Sequence, residues 1–545
     1  MQKTVRVVMA QVNLLVGDLK GNAEQVIQTA TRARDELKAD LVIFPELTLT
    51  GYPPEDLLLR PGFHMQVLRA LEQVRHEVRG IDMVLGYPNQ TADGTFNSAA
   101  LIQEGEISAI YNKQHLPNYS VFDERRYFTH GSNACVVNIK GVPVGLTVCE
   151  DIWSPEPVRQ AVEAGARLII NLNASPFHLA KENEREEAVR QRIEECGVPV
   201  IYVNLVGGQD ELVFDGASFV MNGEGKVTRR CPAFEEGLFS TEFEVNNTGV
   251  LPVAGECVTP LSIEQSAYKA LVLGVKDYVD KNGFQGVVIG LSGGIDSALT
   301  LAVAVDALGK DRVEAVSMPS RYTADMSIDD ARQEAEALGI EFRVIPIETV
   351  FKAFLESLKE EFAGTDPDTT EENIQARCRG VLLMAISNKK HKIVLTTGNK
   401  SEMAVGYATL YGDMAGGFDV LKDVPKTLVV RLAKYRNSIS PVIPERVIER
   451  PPSAELAPDQ KDEDSLPAYE VLDPILEMYV EQDKSVDDII AAGFDQETVK
   501  RVIWMVDRNE YKRRQAPPGV RITRRAFGRD RRYPITSGFG EFVDR

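Results

Sequence analysis

The 545-residue chain contains no uninterrupted apolar run approaching the ~20 residues of a bilayer-spanning helix, so no membrane partner is expected. Its first ten residues enter a strand-like segment carrying Arg6. They lack the apolar stretch and small-residue cleavage site of a signal peptide, and a cytoplasmic protein is expected. Cysteine is sparse. Cys135, Cys149, Cys196, Cys231, Cys257 and Cys378 form no CxxC pair and no Cys/His metal spacing. In a reducing compartment, most cysteines of this kind are small core residues. Positive charge is also in deficit: 61 Lys and Arg against 81 Asp and Glu leave a net charge of −20. Such a surface repels polyanions, which excludes non-specific nucleic-acid binding. The basic residues gather locally at 511–514 and 529–532. A basic cluster in an acidic protein points to a small anionic ligand, with a solvated helix end as the alternative. No internal repeat is present.

With 43% hydrophobic and 26% charged residues, the composition is that of an ordinary globular protein. The length exceeds what one core can organise, so two or more domains are expected. Up to about residue 245, short apolar runs (5–9, 41–44, 83–86, 142–148, 168–171 and 198–204) alternate with amphipathic helical stretches. Turn formers at 246–252 interrupt the rhythm. The resulting division is a first domain over 1–246, a linker over 247–261 and a second domain over 262–545. In the second domain, strands over 287–291, 313–318 and 341–345 alternate with helices over 297–308 and 329–338. That alternation implies a parallel sheet with ligands at its carboxyl-end crevice. Residues 453–467, rich in Pro, Glu and Asp, are expected to form a loop.

Three segments of the first domain carry chemistry-bearing residues. The apolar strand Leu41-Val42-Ile43-Phe44 is followed by Pro45 and Glu46. Lys113 stands just past the apolar segment 108–111. The strand Val144-Gly145-Leu146-Thr147-Val148 stops at Cys149, and Glu150 and Asp151 begin a new element. Alone, Glu46 and Lys113 are compatible with ordinary surface residues. A Cys at a strand-to-helix turn is more specific, because the turn exposes the thiol and aims backbone N–H groups at what it attacks. Taken together and in this order, the segments resemble the nitrilase (carbon–nitrogen hydrolase) superfamily over residues 4–245.

The resemblance implies a four-layer αββα fold and a Glu46-Lys113-Cys149 triad. A thiol with a pKa of ~8.5 needs a base at neutral pH. Glu46 would take its proton and later activate water. Lys113 and the N–H of Glu150 would stabilise the oxyanion. Glu124 matches the superfamily's second glutamate and would orient Lys113; a solvated ion pair is the alternative. In the glutamine-using branch, Tyr119, Ser175 and Lys181 fall where the substrate amino acid is held.

The second domain opens on Val287-Val288-Ile289-Gly290-Leu291-Ser292-Gly293-Gly294-Ile295-Asp296-Ser297, a strand, a small-residue loop and a helix start. Glycines let backbone N–H groups approach phosphate oxygens, and the helix start adds its positive dipole end. The Lys of a Walker-type loop is missing. The pattern resembles the N-type ATP pyrophosphatase family, whose members adenylate a carboxylate or carbonyl. That likeness makes Ile289, Gly290, Leu291, Ser292, Gly293, Gly294, Ile295, Asp296 and Ser297 the ATP loop and Asp296 a Mg²⁺ ligand. The segments 372–379, 396–407, 411–418, 451–456 and 511–519 resemble the NAD synthetase branch. They imply Thr397 and Ser453 beside ATP, Asn373, Arg377 and Lys512 beside deamido-NAD, and Glu402 beside both Mg²⁺ and substrate. Short bacterial synthetases carry Lys where this chain has Leu410. That phosphate contact is then absent or supplied elsewhere, with Lys426 the candidate.

The resemblance as a whole implies an α/β protein, a nitrilase-like domain followed by a doubly wound, Rossmann-like parallel sheet. It also implies ATP-dependent amidation of deamido-NAD⁺ with ammonia freed from glutamine, ATP and Mg²⁺ as cofactors, and a homo-oligomer built through synthetase-domain dimers. The rival readings are another glutamine-dependent adenylating amidotransferase and a degenerate, non-catalytic sensor.

Overall fold

The computed structural model describes residues 3–246, 249–457 and 460–539, and the chain divides into two compact units, Met1–Leu261 and Ser262–Arg545. In the first unit, β1 (Lys3–Gln11), β2 (Leu41–Ile43), β3 (Asp82–Thr91), β4 (Gly94–Gln103) and β5 (Glu106–Asn112) belong to one sheet. A second sheet takes β6 (Val136–Ile139), β7 (Val142–Val148), β8 (Leu168–Asn173) and β9 (Val200–Asn204). A ribbon of β10 (Val206–Gln209) and β11 (Leu212–Asp215) precedes β12 (Phe219–Met221) and β13 (Val227–Arg230) on the second sheet. Next come β14 (Gly237–Val245) and β15 (Val250–Pro252) on the first. The two orders are β15-β14-β1-β2-β3-β4-β5 and β13-β12-β9-β8-β7-β6.

Parallel triplets β1-β2-β3 and β7-β8-β9 occupy the middle of each sheet. Their continuous apolar runs suit strands covered on both faces. The inner faces pack on each other, with Val7, Met9 and Ile43 in one core with Leu146, Val148 and Leu172. Helices α1 (Leu19–Asp35) and α2 (Pro61–Glu77) cover the first sheet, burying Val26, Ala30, Val67 and Leu71 against Val42 and Met83. Helices α3 (Pro155–Glu163) and α4 (Lys181–Cys196) cover the second, burying Val158, Val189 and Ile193 against Ile169 and Val200. The unit is therefore the four-layer αββα arrangement.

The stretch expected to be a linker is partly sheet. Val250–Pro252 pairs with β14, and Cys257 bridges to Arg230. The free hydrogen-bonding edge of β14 and the burial of Val250, 3% exposed, recruit these residues despite the turn formers before them. Residues 247 and 248 lie outside the described residues.

In the second unit, α5 (Ile263–Lys281) leads to β16 (Val287–Gly290), α6 (Ile295–Leu308), β17 (Val313–Ser317), α7 (Asp325–Leu338) and β18 (Glu341–Val344). Helices α8 (Glu348–Ser357) and α9 (Thr369–Lys390) then precede β19 (Ile393–Thr396), α10 (Lys400–Val405), β20 (Phe418–Asp419) and α11 (Lys426–Ile439). The sheet order is β18-β17-β16-β19-β20, parallel throughout. Strand order reverses between β16 and β19, which is where a doubly wound sheet opens its binding crevice. α6 is apolar almost all round and buried accordingly. α7 begins at Asp325, one turn before the expected start at 329; its first turn exposes Met326 and buries Ser327, against the apolar period.

Each basic cluster has at its centre a buried arginine held by protein partners. Arg513 is buried and donates to the carbonyl of Ala404 at 2.6 Å and to Glu510 at 3.0 Å. Arg531, also buried, lies 3.4 Å from the ring centroid of Tyr533 and pairs with Asp507 and Glu510. A buried guanidinium needs such partners, and charge density along the chain does not reveal whether they exist.

Candidate active sites

In the first unit, Glu46 follows β2, where the chain passes close to β3. A side chain at Gly86 of β3 would lie 2.5 Å from Pro45 O and Leu47 N, so glycine is required for the approach. The Glu46 carboxylate is buried. Its Oε1 accepts from Lys113 Nζ at 2.8 Å and from Asn97 Nδ2 at 2.7 Å, and its Oε2 accepts from the Ala174 N–H at 3.0 Å. Lys113 leaves β5 with its backbone N–H on Asn97 O at 2.9 Å. Its ammonium also donates to both Glu124 oxygens at 2.8 and 2.9 Å, and Tyr52 Oη donates to Glu124 Oε1 at 2.9 Å.

Lys113 has no side-chain exposure. Burial lowers its pKa, but the Glu124 and Glu46 charges outweigh burial and hold it well above the ordinary lysine range. It is an ammonium at any physiological pH. Cys149 stands at the end of β7 with φ +46°, a left-handed conformation costly for a residue with a Cβ. Burial pushes its thiol well up, the Glu46 charge adds to the rise and Lys113 opposes it. The resting thiol is thus neutral and needs a base. Glu124 is also raised, by burial first, against the pull of Lys113.

The three residues expected around a substrate amino acid are spread about this cluster. Tyr119 is 56% exposed and its hydroxyl donates to Glu150 Oε1 at 2.9 Å. Lys181 lies 4.2 Å above the Trp153 ring and 3.1 Å from Glu184 Oε2. Ser175 is buried; its Oγ accepts from Arg185 Nε at 3.1 Å and its N–H donates to Asn204 Oδ1 at 2.9 Å.

In the second unit, the loop after β16 borders two cavities, of about 250 and about 170 Å³. Gly290, Leu291 and Ser292 line the smaller cavity, and Ser292, Gly294, Ile295, Asp296 and Ser297 the larger. Ile289 is fully buried in β16. Gly293 has φ +83°, and a Cβ there would lie 2.2 Å from Ser327 O, so only glycine lets the loop pass α7. Thr397 lines both cavities; Glu402, Lys426 and Ser453 line the larger. Lys426 Nζ stands 2.5 Å from Asp296 Oδ2 and 3.5 Å from Glu402 Oε1. Burial raises Glu402, Asp296 adds to the rise and Lys426 opposes it. Burial lowers Lys426, but the two carboxylates outweigh it and the lysine stays an ammonium.

Asn373, Arg377 and Lys512 do not line either cavity. They grip one loop instead: Asn373 Oδ1 accepts from Thr409 Oγ1 at 2.8 Å, Arg377 Nε donates to Leu410 O at 3.2 Å, and Lys512 Nζ donates to Gly406 O and Ala408 O at 2.7 and 2.9 Å. Tyr407 and Ala408 of that loop line the larger cavity. Sequence reasoning missed Asn97, Tyr52, Asp151 and Arg450. Arg450 donates to Gly293 O at 3.0 Å and to Ser327 Oγ at 3.0 Å, clamping the phosphate-type loop. Only Asp151, two residues after Cys149, stood within a motif already singled out.

The carbon–nitrogen hydrolase family model matches residues 6–252, and the NAD synthase model matches residues 267–516. Fold and sites thus define a two-part ligase, a nitrilase-like glutaminase domain joined to an NAD synthase domain. The chain is 49% identical over 540 residues to the glutamine-dependent NAD(+) synthetase of Acinetobacter baylyi, covering 98% of this chain and 99% of that one. It is 51% identical over 541 residues to that of Xanthomonas campestris pv. campestris, with 98% of each covered. The solved structure of the Acinetobacter baumannii glutamine-dependent NAD⁺ synthetase in complex with adenosine diphosphate superposes with a TM-score of 0.80 at 47% identity. It covers 99% of this chain and 100% of that one. The chain belongs to the glutamine-dependent NAD(+) synthetase family.

Proposed function

We propose that the first unit hydrolyses glutamine at Cys149 and that the second unit uses ATP and the released ammonia to convert deamido-NAD⁺ to NAD⁺. The observation that carries the glutaminase half is the buried cluster in which Lys113 joins Glu46 and Glu124 beside a neutral thiol. Cys149 Sγ attacks the side-chain carbonyl carbon of glutamine as Glu46 takes the thiol proton. The Lys113 ammonium and the Glu150 N–H offset the charge on the oxyanion. The C–N bond breaks, Glu46 returns its proton to the leaving ammonia, and a thioester remains. Glu46 then takes a proton from water, which attacks the thioester and frees glutamate and the thiol. Tyr119, Ser175 and Lys181 bind the amino-acid head of glutamine, and Glu124 orients Lys113.

In the second unit, an oxygen of the nicotinate carboxylate attacks the α-phosphorus of ATP and pyrophosphate leaves. Ammonia attacks the adenylated carbonyl carbon, the C–O bond to AMP breaks, and the amide remains. Hydroxide is a poor leaving group and AMP a good one, which is why ATP is consumed. The loop residues 289–297 with Thr397, Ser453 and Lys426 hold ATP. Asn373, Arg377, Glu402 and Lys512 serve deamido-NAD⁺, the three outside the cavity by shaping the 406–410 loop. An ADP-bound relative supports nucleotide use.

Among the described residues no group of three or more His, Cys, Asp or Glu side chains is arranged to hold a metal. Mg²⁺ needs less, since it keeps waters and phosphate oxygens and takes one or two protein carboxylates. Asp296 and Glu402 fit, because both already converge on one cationic group, Lys426 Nζ. Those two would hold Mg²⁺, which supplies charge stabilisation for departing pyrophosphate. The reading extends to a cytoplasmic homo-oligomer formed through synthetase-unit dimers. No helix among the described residues is long and apolar enough to cross a membrane.

Two variants test both halves at once. Cys149→Ala should lose glutamine-driven NAD⁺ formation and keep the ammonia-driven reaction, whereas Asp296→Ala should lose both. Glutamine-driven activity in Cys149→Ala, or ammonia-driven activity near wild type in Asp296→Ala, would refute the corresponding assignment.

A further inference from the structure

Asp151 is fully buried, and the glutaminase steps do not use it. Its Oδ1 accepts the N–H groups of Gln114 at 3.0 Å and His115 at 2.9 Å, the two residues that follow Lys113. Its Oδ2 accepts the N–H of Val148 at 3.0 Å, the residue before Cys149, and the Tyr111 hydroxyl at 2.8 Å. Tyr111 lies in β5, two residues before Lys113. One carboxylate therefore joins the strand and loop that carry Lys113 to the turn that carries Cys149.

A carboxylate offers about four lone-pair sites, and all are filled here. While these bonds stand, Asp151 is not free to move a proton or hold substrate. An anion so close to the nucleophile also works against thiolate formation. Electrostatics alone would favour a neutral residue. What a neutral Asn cannot do is accept on both arms, since its NH₂ would face either the Gln114 and His115 N–H groups or the Val148 N–H. The role that needs a carboxylate is geometric, and Cys149 needs such support because its φ of +46° is costly to maintain.

We propose that Asp151 is a positioning residue that sets Cys149 against Lys113, a role that rests on the reading of Cys149 as nucleophile. Displacements of ~1 Å in a reacting geometry cost ~10²-fold in rate, so the effect belongs in kcat. The test uses the full-length chain and three variants: Asp151→Asn, Tyr111→Phe and Cys149→Ala. Glutamine-driven and ammonia-driven NAD⁺ formation are measured for each; rates of Asp151→Asn and Tyr111→Phe are normalised to sites counted by iodoacetamide labelling of the Cys149 peptide, and those of Cys149→Ala to protein concentration.

Asp151→Asn should lower glutamine-driven kcat per site by ~10²-fold, with the glutamine KM changed less than about threefold and the ammonia-driven rate unchanged. Tyr111→Phe removes one of the four donors at little risk to folding and should lower kcat by about fivefold, the rate equivalent of one hydrogen bond. If Asp151→Asn keeps kcat within about threefold of wild type, the proposal is overturned. It is also overturned if glutamine KM rises while kcat holds, or if the ammonia-driven rate falls in parallel. A Cys149→Ala protein that still uses glutamine would remove the parent reading; a dead Cys149→Ala beside a normal Asp151→Asn would remove the positioning role alone.

Discussion

Replacing Lys113 with Met isolates the electrostatics of the glutaminase site. Met fills the volume of the lysine stem but leaves Glu46 and Glu124 buried without their shared cation, which donates at 2.8 Å to each. Breaking a buried ion network on one side costs about 3–5 kcal/mol, because a desolvated charge is left unpaired. The cost depends on pH. Without Lys113, the pull that opposes burial at Glu124 is gone, and its folded pKa climbs further above the unfolded value of ~4.3. A group whose folded pKa is raised contributes its full stability below the unfolded pKa and loses it as pH climbs towards the folded one. The variant should therefore stand close to wild type near pH 4 and fall furthest behind near pH 8.

The chain has two Trp residues, Trp153 in the first unit and Trp504 in the second. In a Trp504→Phe background, fluorescence during urea unfolding then reports the first unit alone. With a slope of ~2 kcal/mol/M, the expected loss at pH 8 moves the midpoint down by ~2 M. Adding Glu124→Gln to Lys113→Met removes one of the stranded charges and should restore about half of the shift. Equal destabilisation at pH 5 and pH 8 would mean that packing, not charge, accounts for the loss.

Glu334 on α7 tests buried charge in the other unit: it is 1% exposed, its Oε1 accepts no hydrogen bond, and burial raises its pKa to about 8. Its contribution to stability is full below pH ~4 and lost as pH rises through 8. Glu334→Gln should match wild type by calorimetry at pH 5 and melt several degrees higher at pH 9; a lower melting temperature at pH 9 would refute the assignment. Gly293→Ala sets a Cβ 2.2 Å from Ser327 O at a φ of +83°, a strain of order 1–3 kcal/mol. The ATP KM should rise ~10-fold or more with either nitrogen source, while glutamine hydrolysis continues; an unchanged ATP KM would detach this loop from nucleotide binding.

The residues that sequence alone determined are those whose role is set by near neighbours. Continuous apolar runs such as 142–148 and 287–290 had to be covered on both faces, so buried strands alternating with helices were legible before any contact was known, while the four-layer and doubly wound arrangements were legible by resemblance. The glycines after β16 announced a close backbone approach. The ends of elements were less legible, as the early start of α7 and the strand at Val250–Pro252 demonstrate. Glu46, Lys113 and Cys149 were legible by resemblance, since nothing in three separated segments states that they meet.

Tertiary structure decided what burial and convergence decide. It turned Arg513 and Arg531 inward, because partners distant in sequence, Ala404 for one and Asp507 for the other, offset the cost of burying them. It set Asn97 against Glu46 across 51 positions and Asp151 against the Lys113 loop across 36 and 37. Composition and spacing report local periodicity. They carry no signal for a polar side chain whose hydrogen bonds form only when two sheets close face to face, and it is there that the lysine and the thiol are held.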